Sequence, residues 1–237
     1  VLTAKAKFLE AVTADPTNQE AQMLYGVVRV MAVYEEGQNK NTPGLDSIRE
    51  IAELAGVRFS QYGVYTTTIL STSDHLPATT PKTADAFNFL KEKALSEIDG
   101  AIGNLGNVNN TGFVSTINPS AINKSGVMLN IDYADVLLLK AFLNVAKANI
   151  ELLLAYNFDV APTKIQNTIN GEADKLIALR NILVYYPKLV TPKEPTRLTS
   201  SKNAIIAGID TYTNAISYVQ SRATAGHHLF IMDTPID

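Results

Sequence analysis

Apolar residues recur at intervals of three and four along most of this 237-residue sequence, and this spacing constrains the fold more than any other feature. Side chains repeated at that interval share one face of an α-helix, so each such stretch predicts a helix with a buried side. The predicted helices cover residues 2–14, 17–36, 46–62, 84–105, 132–157, 162–184 with an interruption near Gly171, and 200–222. We therefore expect an all-α fold, an antiparallel array of six or seven helices in a single domain (residues 1–237), with sub-units at 1–105 and 132–223.

The fifth predicted helix is apolar around most of its circumference, which is typical of a central helix that packs on several neighbours. Leu139 and Leu153 are therefore expected to be buried in the core. The apolar run at 136–156 is not a membrane span, because two lysines and a glutamate interrupt it. The three charged residues are Lys140, Lys147 and Glu151.

A long Asn- and Gly-rich segment, residues 106–131, separates the fourth helix from the fifth and is predicted to be an irregular loop. Phe113 and Met128 are expected to anchor this loop to the helices. Its outward-facing asparagines then form a recognition surface. These asparagines are Asn109, Asn110, Asn118 and Asn123. The alternative is that the loop only connects two helices.

Carboxylate pairs lie near predicted helix ends, where they are expected to interact with the helix dipole rather than to hydrolyse glycosidic bonds. The pairs are Glu10 with Asp15, Asp46 with Glu50, and Asp132 with Asp135. Thr17 and Glu20, three residues apart, predict a capping box at the start of the second helix.

The first thirty residues resemble a tetratricopeptide-type helical repeat. Ala4, Phe8, Ala11 and Pro16 have the spacing of the second helix of such a repeat, and Gly26 falls at the small-residue position of the next unit. The pattern then departs from the repeat, because Gln38, Thr42 and Leu45 stand where Ala, Phe and Ala are expected. The resemblance implies an antiparallel helical hairpin at the N-terminus.

The sequence Ala-Tyr-Asn-Phe-Asp-Val at 155–160, after the Asn-rich loop, is similar to that of helical lipoproteins of environmental bacteria. This resemblance implies a location in the periplasm or at the cell surface, with a lipid anchor in the precursor. A chain without cysteine and rich in Asn, Thr and Tyr fits such a location. Glycan-capturing outer-membrane lipoproteins also carry tetratricopeptide-like helices, but their chains are much longer and Lys140-Ala141-Phe142 does not match their motif.

Several classes of function are excluded by composition. The lack of cysteine excludes disulfides, thiol nucleophiles and Cys-ligated zinc or iron–sulfur sites. With a net charge of −3, the chain lacks the excess of positive charge that binding to nucleic acid requires. The three histidines, His75, His227 and His228, match no metal-ligand spacing, and no Gly-x-Ser-x-Gly turn is present. We therefore predict no catalytic, cofactor-binding or metal-binding residues, and no enzyme activity.

Tyrosine is the prominent aromatic residue, with ten copies against no tryptophan. Tyr185 and Tyr186 precede Pro187 at a predicted helix end, where they are expected to line a groove. The sequence thus predicts a non-enzymatic protein-interaction or structural module of a bacterial extracytoplasmic protein with a protein partner. The alternative is an extracytoplasmic protein that binds a glycan or a peptide.

Overall fold

The computed structural model describes residues 1–35, 45–54, 82–118, 128–156, 162–171, 174–222 and 230. These residues are mostly helical, with one two-stranded antiparallel sheet, which confirms the all-α prediction. The α-helices are α1 (Leu2–Ala14), α2 (Gln19–Glu35), α3 (Ile48–Leu54), α4 (Thr83–Phe89), α5 (Leu95–Gly106), α6 (Tyr133–Ala155), α7 (Pro162–Asn170), α8 (Lys175–Tyr185) and α9 (Thr196–Ser221). The strands are β1 (Val114–Ile117) and β2 (Leu129–Asp132).

The start of α2 differs from the predicted capping box. Asn18 Oδ1 accepts a hydrogen bond from Ala21 N at 2.9 Å, so asparagine is the capping residue. The Thr17 hydroxyl instead donates to Asp15 Oδ1 at 2.7 Å. Asp15 lies just past the C-terminal end of α1, where the helix dipole disfavours a carboxylate. Its side chain instead closes the turn between α1 and α2 by accepting a hydrogen bond from Thr17 N.

The segment predicted as an irregular loop contains both strands of the sheet. Val114 pairs with Asp132, and Ile117 pairs with Leu129. Ser115 and Ile131, which lie opposite each other in the register, are both buried. The prediction of a loop throughout 106–131 was wrong, because alternation over only four residues per strand is too short to stand out in a sequence.

Helix α6 is buried on one side only, which corrects the expectation of a helix buried all round. Leu139 is half-buried, and Leu153 is 44% exposed. The adjacent Leu154, in contrast, is only 6% exposed. Other buried apolar residues of α6 are Val136, Leu138 and Leu143, and other exposed ones are Phe142, Val145 and Leu152.

Residues 187–195, which contain three prolines, form a short 3₁₀-helix at Pro187–Val190 and a bridge between Pro192 and Tyr156. Helix α9 then begins at Thr196, four residues before the predicted start at residue 200. Proline is well tolerated immediately before or within the first turn of a helix, so Pro195 does not delay the helix.

The first turn of α9 is fixed by two carboxylates. Arg197 Nε donates to Glu194 Oε2 and Arg197 Nη1 donates to Glu151 Oε2, each at 2.6 Å. Glu151 is buried, so the charge that interrupts the apolar run of α6 is paired inside the protein.

The chain divides into two compact units. Unit 1 contains Val1–Val30, Glu97–Asn149 and Ser200–Asp237. At Gly26 of unit 1, an added Cβ would lie 3.2 Å from Leu105 Cγ and 3.3 Å from the Ala101 carbonyl oxygen. The missing side chain therefore allows α2 to approach α5 closely.

Unit 2 contains Met31–Ser96 and Ile150–Thr199. Its core includes Val33 and Phe89, both buried, with Ala94 fully enclosed beside them. Ala94 lies in the single π-helical turn, Leu90–Ala94, that joins α4 to α5 and keeps the helix predicted for 84–105 continuous.

Candidate functional site

Two of the asparagines predicted for recognition are exposed and hold a turn. The backbone N–H groups of Asn109 and Asn110 both donate to Gln19 Oε1, at 3.1 and 3.0 Å. Asn110 Oδ1 accepts from Gly112 N at 3.0 Å, and Asn109 Oδ1 accepts from Gln19 Nε2 at 3.3 Å. These contacts fix the chain between α5 and β1, which gives both side chains a structural role.

The remaining loop residues have mixed outcomes. Asn118 is exposed after β1, whereas Asn123 lies outside the described residues. Phe113 is 8% exposed and anchors the segment as expected. Met128 is 50% exposed, so its expected role as the second anchor was wrong. The buried pair in the sheet, rather than Met128, holds the second side of the segment.

A cavity of about 340 Å³ lies in unit 1, between the sheet and the start of α6 and end of α9. We call it the tyrosine pocket. Its polar and aromatic lining consists of Thr111, Phe113, Asn130, Asp132, Tyr133, Tyr218, Ser221 and Arg222. The volume lies near the lower end of the range for ligand pockets.

The two tyrosines of the pocket pack against each other. Their ring centroids are 4.9 Å apart and the rings are nearly perpendicular, the favoured edge-to-face arrangement. Burial, with a smaller contribution from Tyr218, raises the pKa of Tyr133 above its ordinary value of 10.0. Tyr133 therefore remains a neutral phenol at physiological pH and keeps its O–H donor.

A charged cluster forms one wall of the pocket. Asp132 Oδ1 accepts from Asp135 N at 3.0 Å and Asp135 Oδ2 accepts from Asp132 N at 3.1 Å, a reciprocal cap at the start of α6. Arg222 Nη2 donates to Asp132 Oδ1 at 2.6 Å and to Asp135 Oδ1 at 3.1 Å. Asp135 is fully buried, and it also accepts from Phe230 N. The sequence identified this carboxylate pair at the helix start but gave no sign of its arginine, which is about ninety positions away.

A second feature, in unit 2, is the apolar surface of α8. Leu176, Ile177, Leu179, Leu183 and Val184 are between 37% and 76% exposed. Helical spacing places them on one face of α8, with the exposed Arg180 among them. We call this set the α8 stripe. The same helix buries only Ala178 and Ile182.

The two tyrosines predicted to line a groove lie at the end of α8. Tyr185 is 68% exposed and Tyr186, at the C-terminal cap, is half-buried. Tyr185 follows Ala178 by seven residues and Ile182 by three, so helical spacing places it on their side of the helix, away from the α8 stripe. The sequence pointed to this tyrosine pair, but the periodicity of α8 gave no indication that its leucines are exposed.

Metal binding has no cluster to support it in the part of the chain that the structure describes. No group of three or more histidine or acidic side chains there is arranged to hold a metal ion. His75, His227 and His228 lie outside the described residues. None of the described helices is both long enough and apolar enough to cross a membrane.

Comparisons of the chain with protein-family models, with curated proteins and with solved structures found no match.

Proposed function

We propose that this chain is a non-enzymatic protein-interaction module, and the exposed α8 stripe is the observation that carries the proposal. Five large apolar side chains of one 11-residue helix are in contact with water. Fully burying such a side chain stabilises a protein by about 1.5–3 kcal/mol, so the exposed parts forfeit a share of this energy. Exposed apolar patches of this kind are typical of binding surfaces.

The charges around the stripe define the chemistry of its partner. Within the described residues 174–188, Lys175, Arg180 and Lys188 are exposed, and the one acidic residue of this range is Asp174. The side chain of Asp174 caps the helix by accepting from Leu176 N. A complementary partner is a protein with an apolar surface bordered by acidic side chains. A polybasic membrane-binding surface is a poorer match, because the whole chain carries a net charge of −3.

Photo-crosslinking tests this proposal directly. A photo-crosslinking amino acid replaces Leu179 in cells of the native host, and the crosslinked protein is identified and purified. We expect Leu176→Ser and Val184→Ser each to weaken its binding about tenfold or more, because each removes apolar area from the interface. Isothermal titration calorimetry measures the dissociation constants.

Ile209→Ser is the matched control, since Ile209 is 58% exposed but lies on α9 in unit 1. This control should bind as the parent protein does. Equal binding by the parent and both stripe variants contradicts the proposal, as do crosslinks formed only to lipid or to a second copy of the chain.

The tyrosine pocket favours a second function, the binding of a glycan or a peptide ligand. Aromatic rings next to a few fixed polar groups are the usual composition of ligand pockets. Thermal-shift measurements with the purified protein test this function, because a ligand of the folded state raises its unfolding temperature.

We place both functions outside the bacterial cytoplasm, in the periplasm or at the cell surface. The support for this location is the cysteine-free composition together with the resemblance to helical lipoproteins. Osmotic-shock fractionation of the native host, followed by immunoblotting, tests it. Recovery of the protein with cytoplasmic markers contradicts it.

A further inference from the structure

The lining of the tyrosine pocket selects one class of ligand, and this inference rests on the ligand-binding function proposed above. We propose that the pocket binds one or two rings of a neutral saccharide, which contacts the edge-to-face pair Tyr133 and Tyr218. The C–H groups of a sugar ring pack on aromatic surfaces, while its hydroxyl groups both donate and accept hydrogen bonds.

The charges of the pocket favour a neutral ligand. Arg222 is paired with both Asp132 and Asp135, so its positive charge is already compensated. Arg222 therefore offers no uncompensated positive charge to a carboxylate or phosphate. A cationic ligand would compete with a guanidinium whose side chain is 11% exposed and which is held by three acceptors.

The hydrogen-bonding groups of the pocket match hydroxyl groups. Thr116 donates to Asn130 Oδ1 at 2.9 Å, which leaves the amide N–H groups of Asn130 as donors. The phenol of Tyr133 and the hydroxyl of Thr111 can donate and accept. A polyhydroxylated ring satisfies such a mixed set better than an apolar molecule does.

The size of the pocket separates a sugar from a peptide. A cavity of about 340 Å³ accommodates a compact ring or a pair of rings. An extended peptide is usually bound along a strand edge or a groove over several residues, and the strands beside this pocket have only four residues each.

Saturation-transfer NMR with the whole chain tests the inference. The probes are maltose, cellobiose, xylobiose and diacetylchitobiose, compared with acetate, inorganic phosphate and blocked dipeptides. We expect at least one disaccharide to bind, and Tyr218→Ala to weaken that binding about tenfold. Tyr218→Phe keeps the packed ring and removes only the hydroxyl, so it should fold normally and bind about two- to tenfold more weakly. Tyr212→Ala is the control, because Tyr212 is an exposed tyrosine of α9 that does not line the pocket, and this variant should bind as the parent protein does.

The remaining outcomes distinguish a failure of the saccharide assignment from a failure of the ligand-binding function. Binding of a blocked dipeptide, acetate or phosphate without any sugar overturns the saccharide assignment and leaves a ligand-binding function. Binding of no probe overturns both. A sugar whose affinity is the same in the parent protein, Tyr218→Ala and Tyr218→Phe binds elsewhere, and this result also overturns the assignment.

Discussion

The neighbouring leucines Leu153 and Leu154 of α6 provide a sharp test of how this helix packs. Leu154 is 6% exposed and Leu153 is 44% exposed, although the two share a helix, a residue type and unit 2. Replacing either by alanine removes three carbon atoms and changes helix propensity equally. Any difference in stability therefore reports the packing of the two side chains.

The expected difference follows from the burial of the removed atoms. For Leu154→Ala, three buried carbons at about 0.8 kcal/mol each give about 2.4 kcal/mol, and the cavity raises the loss to about 3–4 kcal/mol. For Leu153→Ala, about half of that transfer energy is lost and no closed cavity forms, so we expect about 1 kcal/mol.

Urea denaturation of the whole chain, followed by far-ultraviolet circular dichroism, measures both values. Both residues lie in unit 2, so the same unfolding transition reports both variants. The parent protein and each variant should share the same slope with denaturant, so that the midpoints give the free-energy differences directly. Losses that agree within about 0.5 kcal/mol would refute the one-sided packing of α6.

Three further predictions concern particular polar groups. Asn18→Ala should lower the free energy of unfolding by about 1 kcal/mol in urea denaturation, whereas Thr17→Ala should cost less than half as much, because only Asn18 caps α2; equal losses would argue against this assignment. Arg222→Met should lower the free energy of unfolding by about 3 kcal/mol or more, because it removes the arginine that pairs with the buried carboxylate of Asp135. Adding Asp135→Asn should recover part of that loss in a double-mutant cycle, and purely additive losses would show that the two residues are not coupled. A hydrogen bond from Arg197, in the first turn of α9, holds the pKa of Glu194 below its ordinary value of 4.5. The resulting stabilisation of the fold is complete above pH 4.5 and is lost as the pH falls through the lower, folded-state pKa. Thermal unfolding across this pH range should show a shallower acid dependence for Glu194→Gln than for the parent protein, and an identical dependence would exclude this contribution.

The helical part of the fold was predictable because it is encoded locally. Three- and four-residue spacing placed α1 correctly, and it placed α6 to within two residues at its C-terminal end. The interruption predicted near Gly171 separates α7 from α8. The resemblance of residues 1–30 to a tetratricopeptide-type repeat stays a prediction.

The candidate sites were only partly predictable. Tyr185 and the carboxylates Asp132 and Asp135 stood out in the sequence, as neighbouring tyrosines and as a pair at a helix start. The tyrosine pocket did not stand out, because Tyr133 and Tyr218 are 85 positions apart and meet only when α9 returns to the start of α6.

The sequence by itself determined which segments are helical, because helix formation depends on hydrogen bonds and side-chain spacing within a few residues. Tertiary structure alone decided which side of an apolar helix is buried. Leu153 and Leu154 are the same residue type and adjacent in the sequence, yet one is buried and the other is exposed. The same holds for the wall of the tyrosine pocket, where Arg222 compensates two carboxylates that are distant along the chain. Burial and charge pairing depend on which distant residues come together in space, and the local periodicity of the sequence does not reveal these contacts.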